Sequence, residues 1–432
     1  MLYLFPALLV ANTLACASAE PAPTTEAAAQ PAPQVTPAAA PQSPAPTPTP
    51  VPAANLPVEA RFAAWKQRTL SDLSRRYSAE AAQSVLGPAQ FRPALLESDS
   101  NQPEFTRPIW GYLDSAVAES RVRPGRDNLA AFGALFDRIE ARYNVPREVV
   151  AAIWGLESQY GTNMGDNPVV DALATLAFEG RREALFTTQI EALVDLVNRG
   201  RLDAGDLRGS WAGAIGMTQF LPATLRDYGV DFDGDGRIDL RGSEADALAS
   251  AAHYLARFGW QPGQPTYVEV RLPTGFDFAL ADNATARPAR VWRELGAVPV
   301  DGELPASALE ADAKLYLPAG ARGPAFLLFP NFDVIKRYNP STSYALGIAG
   351  LAKAFRGEVP VVQDFPRDDQ PLSFSDKRAL QQRLQDLGFD PGGVDGIVGP
   401  GTRRAVPAWQ SANGLPADGY VEQTLFRRIM GA

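Results

Sequence analysis

Apolar residues recur at intervals of three and four between positions 59 and 258, and this spacing is the strongest constraint on the fold. Stretches such as "LAAFGALFDRIEARYNV" and "EALFTTQIEALVDLVNRG" each carry one apolar stripe, which predicts amphipathic helices packed on a shared core. Between 265 and 330 the period shifts toward two, with Gly and Pro interspersed, which predicts a small β element. We therefore expect an α+β, mostly α, fold. The 432 residues exceed what one hydrophobic core usually serves, so more than one domain is expected.

The N-terminus predicts an export signal. Residues 1–19 carry no charged side chain, and their apolar run is too short to span a bilayer. Two processing routes remain open: lipid modification of Cys16 within "TLAC", or cleavage after the "ASA" that ends at Ala19. Both routes predict a mature protein outside the cytoplasm, in the periplasm, and lipidation of Cys16 would anchor it to the outer membrane.

Residues 20–58 predict a disordered tether. The stretch 21–52 holds 11 prolines among Ala, Thr and Gln, and no Lys or Arg precedes Arg61. Such a composition cannot bury a core and favours extended polyproline II backbone. At about 3.1 Å per residue the tether would reach on the order of 100 Å.

Charge and residue scarcity exclude several classes of function. The net charge of −9 argues against a nucleic-acid partner, because phosphate binding relies on clustered Lys and Arg. The chain has a single histidine, His253, and a single cysteine, Cys16. A Ser–His–Asp apparatus or a Cys/His zinc site is therefore out of reach. Any catalysis must use carboxylates, hydroxyls, Lys or Arg.

One carboxylate stands inside an apolar helix pattern, in "VPREVVAAIWGLESQYG". Pro146 is typical of a first helical turn and Gly161 of a C-terminal cap. The spacing predicts that Glu157 shares one face with four apolar or aromatic residues, which are Val150, Ile153, Trp154 and Tyr160. Burial and the negative end of the helix dipole would both raise the pKa of Glu157. A carboxylic acid that keeps its proton near neutral pH suits a general acid. The alternative is a Glu paired with an Arg at the edge of the core.

Four motifs in order resemble one enzyme family. They are "WGLESQYG", "ATLAFEGRREALF", "SWAGAIGMTQFLPATLRDYGVDFDGDGRIDL" and "RYNPSTSYALGIAGLA". Residues 59–358 thereby resemble the catalytic domain of the membrane-bound lytic murein transglycosylase B family. The resemblance implies a lysozyme-like fold that cleaves the MurNAc-β-1,4-GlcNAc bond of peptidoglycan without water and leaves 1,6-anhydromuramoyl ends.

The resemblance also implies roles for individual residues. Glu157 would be the single catalytic residue, first as acid and then as base toward the C6 hydroxyl, with no cofactor for the chemistry. The nearest other carboxylates, Asp166 and Asp171, match no second catalytic position. Residues that match substrate-binding positions are Arg181, Arg182, Ser210, Met217, Gln219, Tyr254, Tyr338, Asn339 and Tyr344. For each of these, a packing or capping role is the alternative.

An acidic loop, "DFDGDGRIDL", begins like an EF-hand calcium loop. Asp231, Asp233, Asp235 and the Arg237 carbonyl would occupy ligand positions 1, 3, 5 and 7. Gly242 stands at position 12, where a Glu is usual, and the resemblance implies that Asp246 closes the site, with Glu244 as the other candidate. The loop is thus a candidate structural Ca²⁺ site, and a solvated Asx-rich turn is the alternative.

The C-terminal residues 375–432, after a linker at 359–374, resemble the three-helix peptidoglycan-binding domain of many wall enzymes. The matching elements are "LQQRLQDLGF", Asp395–Gly396, Gly399, Thr402 and Trp409–Gln410. "DGIVGPGTRRAV" is faintly echoed by "DGYVEQTLFRRI" within the same unit. Pro407 departs from the pattern and should kink its helix. The expected partner is therefore peptidoglycan.

Two other functions remain open. A muramidase would hydrolyse the same bond with water, which usually needs a second carboxylate. A non-catalytic scaffold would use the lysozyme-like groove only to bind peptidoglycan. The products and the effect of replacing Glu157 separate these possibilities.

Overall fold

The computed structural model describes residues 56–431 apart from 97–107, 204, 206, 282–284, 370 and 371. The predicted export signal, Cys16 and the tether up to residue 55 lie outside this part. None of the described helices combines the length and apolar character that a membrane crossing requires.

Helices build most of the region up to residue 355, as the periodicity predicts. They are α1 (Val58–Ser74), α2 (Ala79–Leu86), α3 (Ile109–Ala116), α4 (Glu119–Ala131), α5 (Gly133–Tyr143), α6 (Arg147–Ser158), α7 (Val169–Glu179), α8 (Glu183–Asn198), α9 (Pro222–Tyr228), α10 (Glu244–Arg257), α11 (Ala289–Glu294), α12 (Pro330–Tyr338) and α13 (Thr342–Phe355). Apart from α11, which packs in the core of the sheet, their apolar faces meet in one large core, which confirms the expected mostly α class.

The predicted β element is a five-stranded antiparallel sheet in the order β4-β6-β7-β3-β5. Its strands are β3 (Tyr267–Arg271), β4 (Arg287–Pro288), β5 (Val298–Pro299), β6 (Asp312–Tyr316) and β7 (Ala325–Leu328). A separate two-stranded ribbon pairs β1 (Asn167–Pro168) with β2 (Arg208–Gly209). The sheet has its own core around Trp292, whose indole Nε1 donates to the Ala313 carbonyl at 2.8 Å.

Helix α6 lies at the centre of the large core and is buried along most of its length. It packs against α13, where Gly347 leaves room for both neighbours, because a Cβ there would lie 3.4 Å from Leu156 of α6 and 2.9 Å from the ring of Tyr112 on α3. A helix buried on almost every side leaves Glu157, the carboxylate in its last turn, few ways to reach water.

Both ends of α6 differ from the sequence-based prediction. Pro146 is the N-terminal cap, just before the first turn, and the helix ends at Ser158 with Gln159 as a left-handed cap (φ 51°). Gly161 is therefore not the cap, and Tyr160, with φ 59°, lies beyond the helix. The early end is stabilised because the Ser158 hydroxyl accepts from the Gly161 N–H at 2.9 Å. Tyr160 instead packs its ring edge-on against Trp154, at 5.6 Å.

Three helices form the C-terminal unit, as predicted: α14 (Phe374–Asp386), α15 (Pro400–Ala412) and α16 (Gln423–Met430), around a small core of their own. Helix α15 continues through Pro407. The faint internal echo has a structural counterpart. Gln381 binds Asp395 (3.0 Å) and the Gly396 N–H (2.7 Å), and Gln410 binds Asp418 (2.7 Å) and the Gly419 N–H (2.8 Å) in the same way.

The segment predicted as a linker lies along the sheet. Buried Glu269 on β3 accepts from the backbone N–H groups of Val362 (2.7 Å) and Gln363 (2.8 Å). Further on, Asp369 is buried beside Arg322, at 2.9 Å. The described part of this connection is therefore held by hydrogen bonds and an ion pair.

Candidate active site

The Glu157 carboxylate lies at the C-terminal end of α6 and is only 8% exposed. Its Oε1 accepts a hydrogen bond from the Tyr344 hydroxyl at 2.6 Å. Tyr344 is in the first turn of α13, which packs directly on α6. Within the part of the chain that the structure describes, no Lys or Arg forms an ion pair with Glu157. The arrangement is not that of an ion pair at the edge of the core.

Burial raises the pKa of Glu157 from its ordinary 4.5 to about 8, and the hydrogen bond from Tyr344 opposes the rise. Because burial is the larger effect, the carboxyl keeps its proton at neutral pH. The pKa values of Tyr338 and Tyr344 are also raised well above the usual range, by burial and by the nearby Glu157. Both phenols therefore stay neutral hydrogen-bond donors.

The loop of residues 216–219 is fixed at the end of α6 by side-chain to backbone hydrogen bonds. Ser158 donates to the Met217 carbonyl at 2.6 Å, and Tyr338 donates to the Thr218 carbonyl at 2.6 Å. Gln219 Nε2 donates to the carbonyls of Gly216 (2.7 Å) and Met164 (3.2 Å). These bonds hold the loop at a defined position relative to Glu157.

Gln219 adopts a left-handed backbone, with φ 50°. Such a conformation is uncommon for a residue other than Gly, and it costs free energy that the surrounding contacts must offset. The side chain is largely buried, and its amide nitrogen donates one hydrogen bond within the loop, to Gly216, and one outside it, to Met164. The strain lies at one of the residues expected to meet the substrate.

Three other predicted binding residues are buried and have local structural roles. The Ser210 hydroxyl accepts from the Ala214 N–H at 3.0 Å and so stabilises its own turn. Met217 packs its side chain beside Gly161 in the core. Asn339 accepts from the Ser341 N–H at 3.0 Å, at the entry to α13. These contacts are of the packing or capping kind.

Tyr254 and Tyr338 belong to a cluster of aromatic rings. Their ring centroids lie 5.2 Å apart, and Tyr254 also contacts Tyr228 (5.0 Å) and Phe258 (4.5 Å). The Tyr254 hydroxyl donates to the Arg337 carbonyl at 2.6 Å. Its polar atom is thus used inside the protein, and Tyr338 is the member of the pair whose environment includes Glu157.

The paired arginines lie at the start of α8. Arg181 is 55% exposed and forms an ion pair with Glu179. The Arg182 guanidinium lies over the ring of Phe186, 5.2 Å from its centroid. Both guanidinium groups are thus engaged by residues of the protein itself.

The structure brings together three of the predicted metal ligands. Single carboxylate oxygens of Asp231, Asp233 and Asp246 lie within 4.8 Å of one another. Asp246 is buried, and its carboxylate accepts from the N–H groups of Phe232 (2.7 Å) and Asp239 (2.9 Å). Asp235 is not one of these three convergent residues. Its carboxylate accepts a hydrogen bond from the Arg237 N–H at 2.8 Å.

This donor set fits a hard cation. Oxygen-only ligands from carboxylates suit Ca²⁺, and Arg201, 3.7 Å from Asp231, offsets only part of the three convergent negative charges. Burial raises the pKa of Asp246, and the neighbouring Asp233 carboxylate raises it further.

Sequence reasoning did not identify Ser158 or Thr218 as parts of the site. Ser158 is buried and joins the end of α6 to the 216–219 loop. Thr218 is fully buried, and its hydroxyl has no hydrogen-bond partner among the described residues. The only signal was position: each is the direct neighbour of a predicted site residue.

Comparison with known proteins identifies the family. The family described as "Transglycosylase SLT domain" matches residues 61–353, which is more than half of the chain. The chain belongs to this family. Membrane-bound lytic murein transglycosylase B of Escherichia coli (strain K12) is 34% identical over 293 residues, 64% of this chain and 78% of that protein. The predicted relationship to lytic murein transglycosylases is confirmed. A putative peptidoglycan-binding domain matches residues 375–429 of this transglycosylase.

Solved structures share the fold. SltB3 from Pseudomonas aeruginosa, in complex with NAG-NAM-pentapeptide, has a TM-score of 0.80 and 44% identity, covering 85% of this chain and 99% of that chain. The Escherichia coli lytic transglycosylase Slt35, in complex with calcium, has a TM-score of 0.57 and 28% identity, covering 67% of this chain and 92% of that chain. The lysozyme-like transglycosylase fold expected for this chain is confirmed.

Proposed function

We propose that this transglycosylase cleaves the MurNAc-β-1,4-GlcNAc bond of peptidoglycan without water, with Glu157 as the only catalytic acid and base. The observation that carries the proposal is the buried Glu157 carboxyl, with a pKa of about 8 and a hydrogen bond from Tyr344. Its family and the structures of its relatives support peptidoglycan as the substrate.

In the first step, Glu157 donates its proton to the oxygen of the scissile bond. Since Tyr344 occupies Oε1, the proton is best carried by Oε2. Proton transfer makes the sugar oxygen a better leaving group, and the C1–O bond breaks as positive charge develops on the muramoyl ring. The GlcNAc fragment, which has taken the proton and now ends in a free hydroxyl, then leaves.

In the second step, Glu157 is a carboxylate and removes the proton of the muramoyl C6 hydroxyl. The C6 oxygen then bonds to C1 and forms the 1,6-anhydro ring, so Glu157 regains a proton and no water is consumed. The hydrogen bond from Tyr344 favours the ionised form, which stabilises the carboxylate between the two steps.

Two nearby carboxylates are poorly suited to a hydrolytic role. Both oxygens of Asp171 bind the segment before α3, the Gln90 N–H at 2.8 Å and Arg92 Nε at 2.9 Å. Asp166 has a side chain that is 94% exposed and lies 3.7 Å from Arg241. A hydrolase of the usual kind needs a second carboxylate to activate water or to attack the sugar. A second carboxylate is not needed when the C6 hydroxyl of the muramoyl sugar is itself the nucleophile.

The mass of the reaction products tests this mechanism directly. We expect every new muramoyl end from purified sacculi to lack the elements of water, because the C6 hydroxyl replaces water as the nucleophile. Mass spectrometry of the soluble fragments measures this, and hen egg-white lysozyme digests provide the hydrated reference. Predominantly hydrated ends would identify a muramidase instead.

We propose that Asp231, Asp233 and Asp246 hold a structural Ca²⁺, with the Arg237 carbonyl as a further ligand. The convergent carboxylates support the site, and the relative Slt35 has been solved in complex with calcium. The ion would offset two of the three negative charges and fix the loop that begins directly after α9.

Calcium is expected to raise the thermal midpoint of the catalytic domain relative to a chelator, because a ligand that binds only the folded state stabilises it. The measurement is a melt in millimolar Ca²⁺ and in chelator. Asp246→Asn should abolish the difference, whereas Asp235→Asn should retain most of it. A wild-type midpoint that does not move would contradict the site.

We also propose that the chain is exported and organised as signal 1–19, tether 20–58, catalytic domain 59–358, linker 359–374 and peptidoglycan-binding domain 375–432. Action on peptidoglycan supports a periplasmic location, and lipidation of Cys16 would add an outer-membrane anchor. The C-terminal domain would hold the enzyme on its polymer and raise the local substrate concentration.

A further inference from the structure

Tyr160 folds back onto the helix that it follows. Its backbone is left-handed, with φ 59°, directly after Gln159 at φ 51°. Two successive non-glycine residues in this conformation are uncommon, and they cost free energy that other contacts must offset. The N–H groups of both residues donate to the Trp154 carbonyl, which closes the last turn of α6. Tyr160 is therefore part of the structure that ends the helix just after Glu157.

Two glycines form the slot that receives the Tyr160 ring. A Cβ at Gly155 of α6 would lie 2.6 Å from the phenol oxygen, and a Cβ at Gly125 of α4 would lie 2.5 Å from the same atom. Even an alanine at either position would force the phenol to move. The phenol hydroxyl donates to the Arg121 carbonyl on α4 at 2.7 Å. The ring thus joins the end of α6 to α4.

Helix α13 meets the other two helices at the same slot. A Cβ at Gly125 would also overlap the ring of Phe355, the last residue of α13. Helix α13 packs on both α4 and α6, and its first turn carries Tyr344, the hydrogen-bond donor to Glu157. One slot therefore connects the helix that carries the carboxyl, the helix that carries its donor, and α4.

The Tyr160 ring packs on the side of α6 that faces away from Glu157. Gly155 precedes Glu157 by two positions, and a helix places such residues about 200° apart around its axis. Trp154 lies between these two sides, and its ring meets that of Tyr160 edge-on at 5.6 Å. Tyr160 is thus placed to hold the helix end and not to touch the reacting atoms.

The raised pKa of Glu157 depends on the last turn of α6 staying closed. Burial is the main cause of the rise. The ionisable side chains that face the carboxyl, Tyr338 of α12 and Tyr344 of α13, are neutral phenols at neutral pH. Fraying of the last turn would admit water to the carboxyl and return its pKa toward the ordinary 4.5.

We propose that Tyr160 is a positioning residue, which holds Glu157 at the buried end of α6 through the slot formed by Gly125 and Gly155. It acts through the helix and not on the substrate. Its importance for catalysis rests on the proposed function, in which Glu157 delivers a proton. Its effect on the ionisation of Glu157 does not depend on that function and can be measured separately.

Thermal unfolding tests the positioning without any catalysis. The difference in midpoint between a protein with Glu157 and its Glu157→Gln counterpart, followed from pH 4 to pH 9, reports the ionisation of Glu157 in the folded state. In the wild-type background this difference should widen up to about pH 8. In a Tyr160→Ala background we expect it to stop widening at least about one pH unit lower. Tyr160→Phe, which keeps the ring in the slot, should retain most of the wild-type behaviour.

Kinetics on soluble glycan strands gives the second readout. Tyr160→Ala should lower kcat about 10- to 10²-fold, because the acid is misplaced, and leave KM nearly unchanged. The alkaline limb of its pH profile should move to lower pH together with the midpoint difference. If Tyr160→Ala does not fold, Tyr160→Leu carries the same test, since it keeps apolar bulk but cannot donate to the Arg121 carbonyl.

Tyr267→Ala is the matched control, because it also removes a buried phenol that donates to a backbone carbonyl, that of Pro360. It should lower all midpoints but leave kcat and the pH range of the midpoint difference unchanged. A difference that widens to the same pH with Tyr160→Ala as in the wild type, or an equal loss of kcat with Tyr267→Ala, would overturn the proposal. If the difference shifts as expected but no anhydro product forms, Tyr160 positions Glu157 and the proposed reaction fails.

Discussion

Glu157→Gln is expected to lower the rate at which purified sacculi are cleared by about 10²- to 10⁴-fold, the range that positioned acid–base groups contribute. Glutamine keeps the size and the hydrogen-bonding oxygen that Tyr344 contacts, so the buried environment of the helix end should persist. What it removes is the transferable proton, which both proposed steps require. The assay follows turbidity of a sacculus suspension together with release of anhydro fragments.

Glu148→Gln is the matched control, since it makes the same chemical change in the first turn of the same helix, α6. This variant should clear sacculi at nearly the wild-type rate. If Glu157→Gln also clears them normally, Glu157 is not the acid. If neither the wild type nor the variants clear sacculi but all bind them, the scaffold function is the correct one.

Local patterns in the sequence were sufficient to predict the helix that carries Glu157 and the burial of its carboxyl. The three- and four-residue spacing around Val150, Ile153 and Trp154 makes one side of a helix apolar whatever its partner is. The rise in the pKa of Glu157 follows from that burial. The sheet was predictable for the same reason, because an alternating pattern reports a local strand.

Features that depend on distant parts of the chain were not predictable from such patterns. Tyr344 reaches Glu157 across 187 residues of sequence, and only the packing of α13 on α6 brings them together. The EF-hand spacing similarly favours Asp235, whereas the fold brings the later Asp246 beside Asp231. In both cases the tertiary structure decides which polar atoms meet.

The end of α6 illustrates a third kind of difference. Gly161 is the residue that a sequence-based rule selects as the cap, because Gly has no Cβ to oppose a left-handed backbone. The chain adopts that conformation already at Gln159 and Tyr160, before it reaches Gly161, and the Ser158 hydroxyl and the packing of Tyr160 against Trp154 offset its cost. Ending the helix two residues earlier leaves Glu157 in its last turn, next to the 216–219 loop.

The Glu157→Gln substitution is also expected to stabilise the folded protein, and increasingly so as the pH rises. In the folded state the pKa of Glu157 is about 8, against an ordinary 4.5, so the folded protein holds a proton that the unfolded chain has lost between these values. Stability therefore falls as the pH rises from 4.5 to 8, since the unfolded state binds fewer protons. Glutamine has no such proton. At pH 7, which lies 2.5 units above the ordinary pKa of 4.5, the free energy of unfolding of the variant should exceed that of the wild type by roughly 3 kcal/mol, because each unit contributes about 1.4 kcal/mol.

Thermal unfolding of the wild type and Glu157→Gln between pH 4 and pH 9 measures this gap. The two midpoints should nearly coincide at pH 4, separate through neutrality and run parallel above pH 8. Asp369, whose pKa is also raised by burial, titrates in both proteins and cancels in the difference. Glu148→Gln controls for the loss of one carboxylate from the same helix. A constant difference at every pH would mean that Glu157 ionises as freely in the folded protein as in the unfolded chain, and an acid of that kind could not hold the proton that the proposed first step delivers.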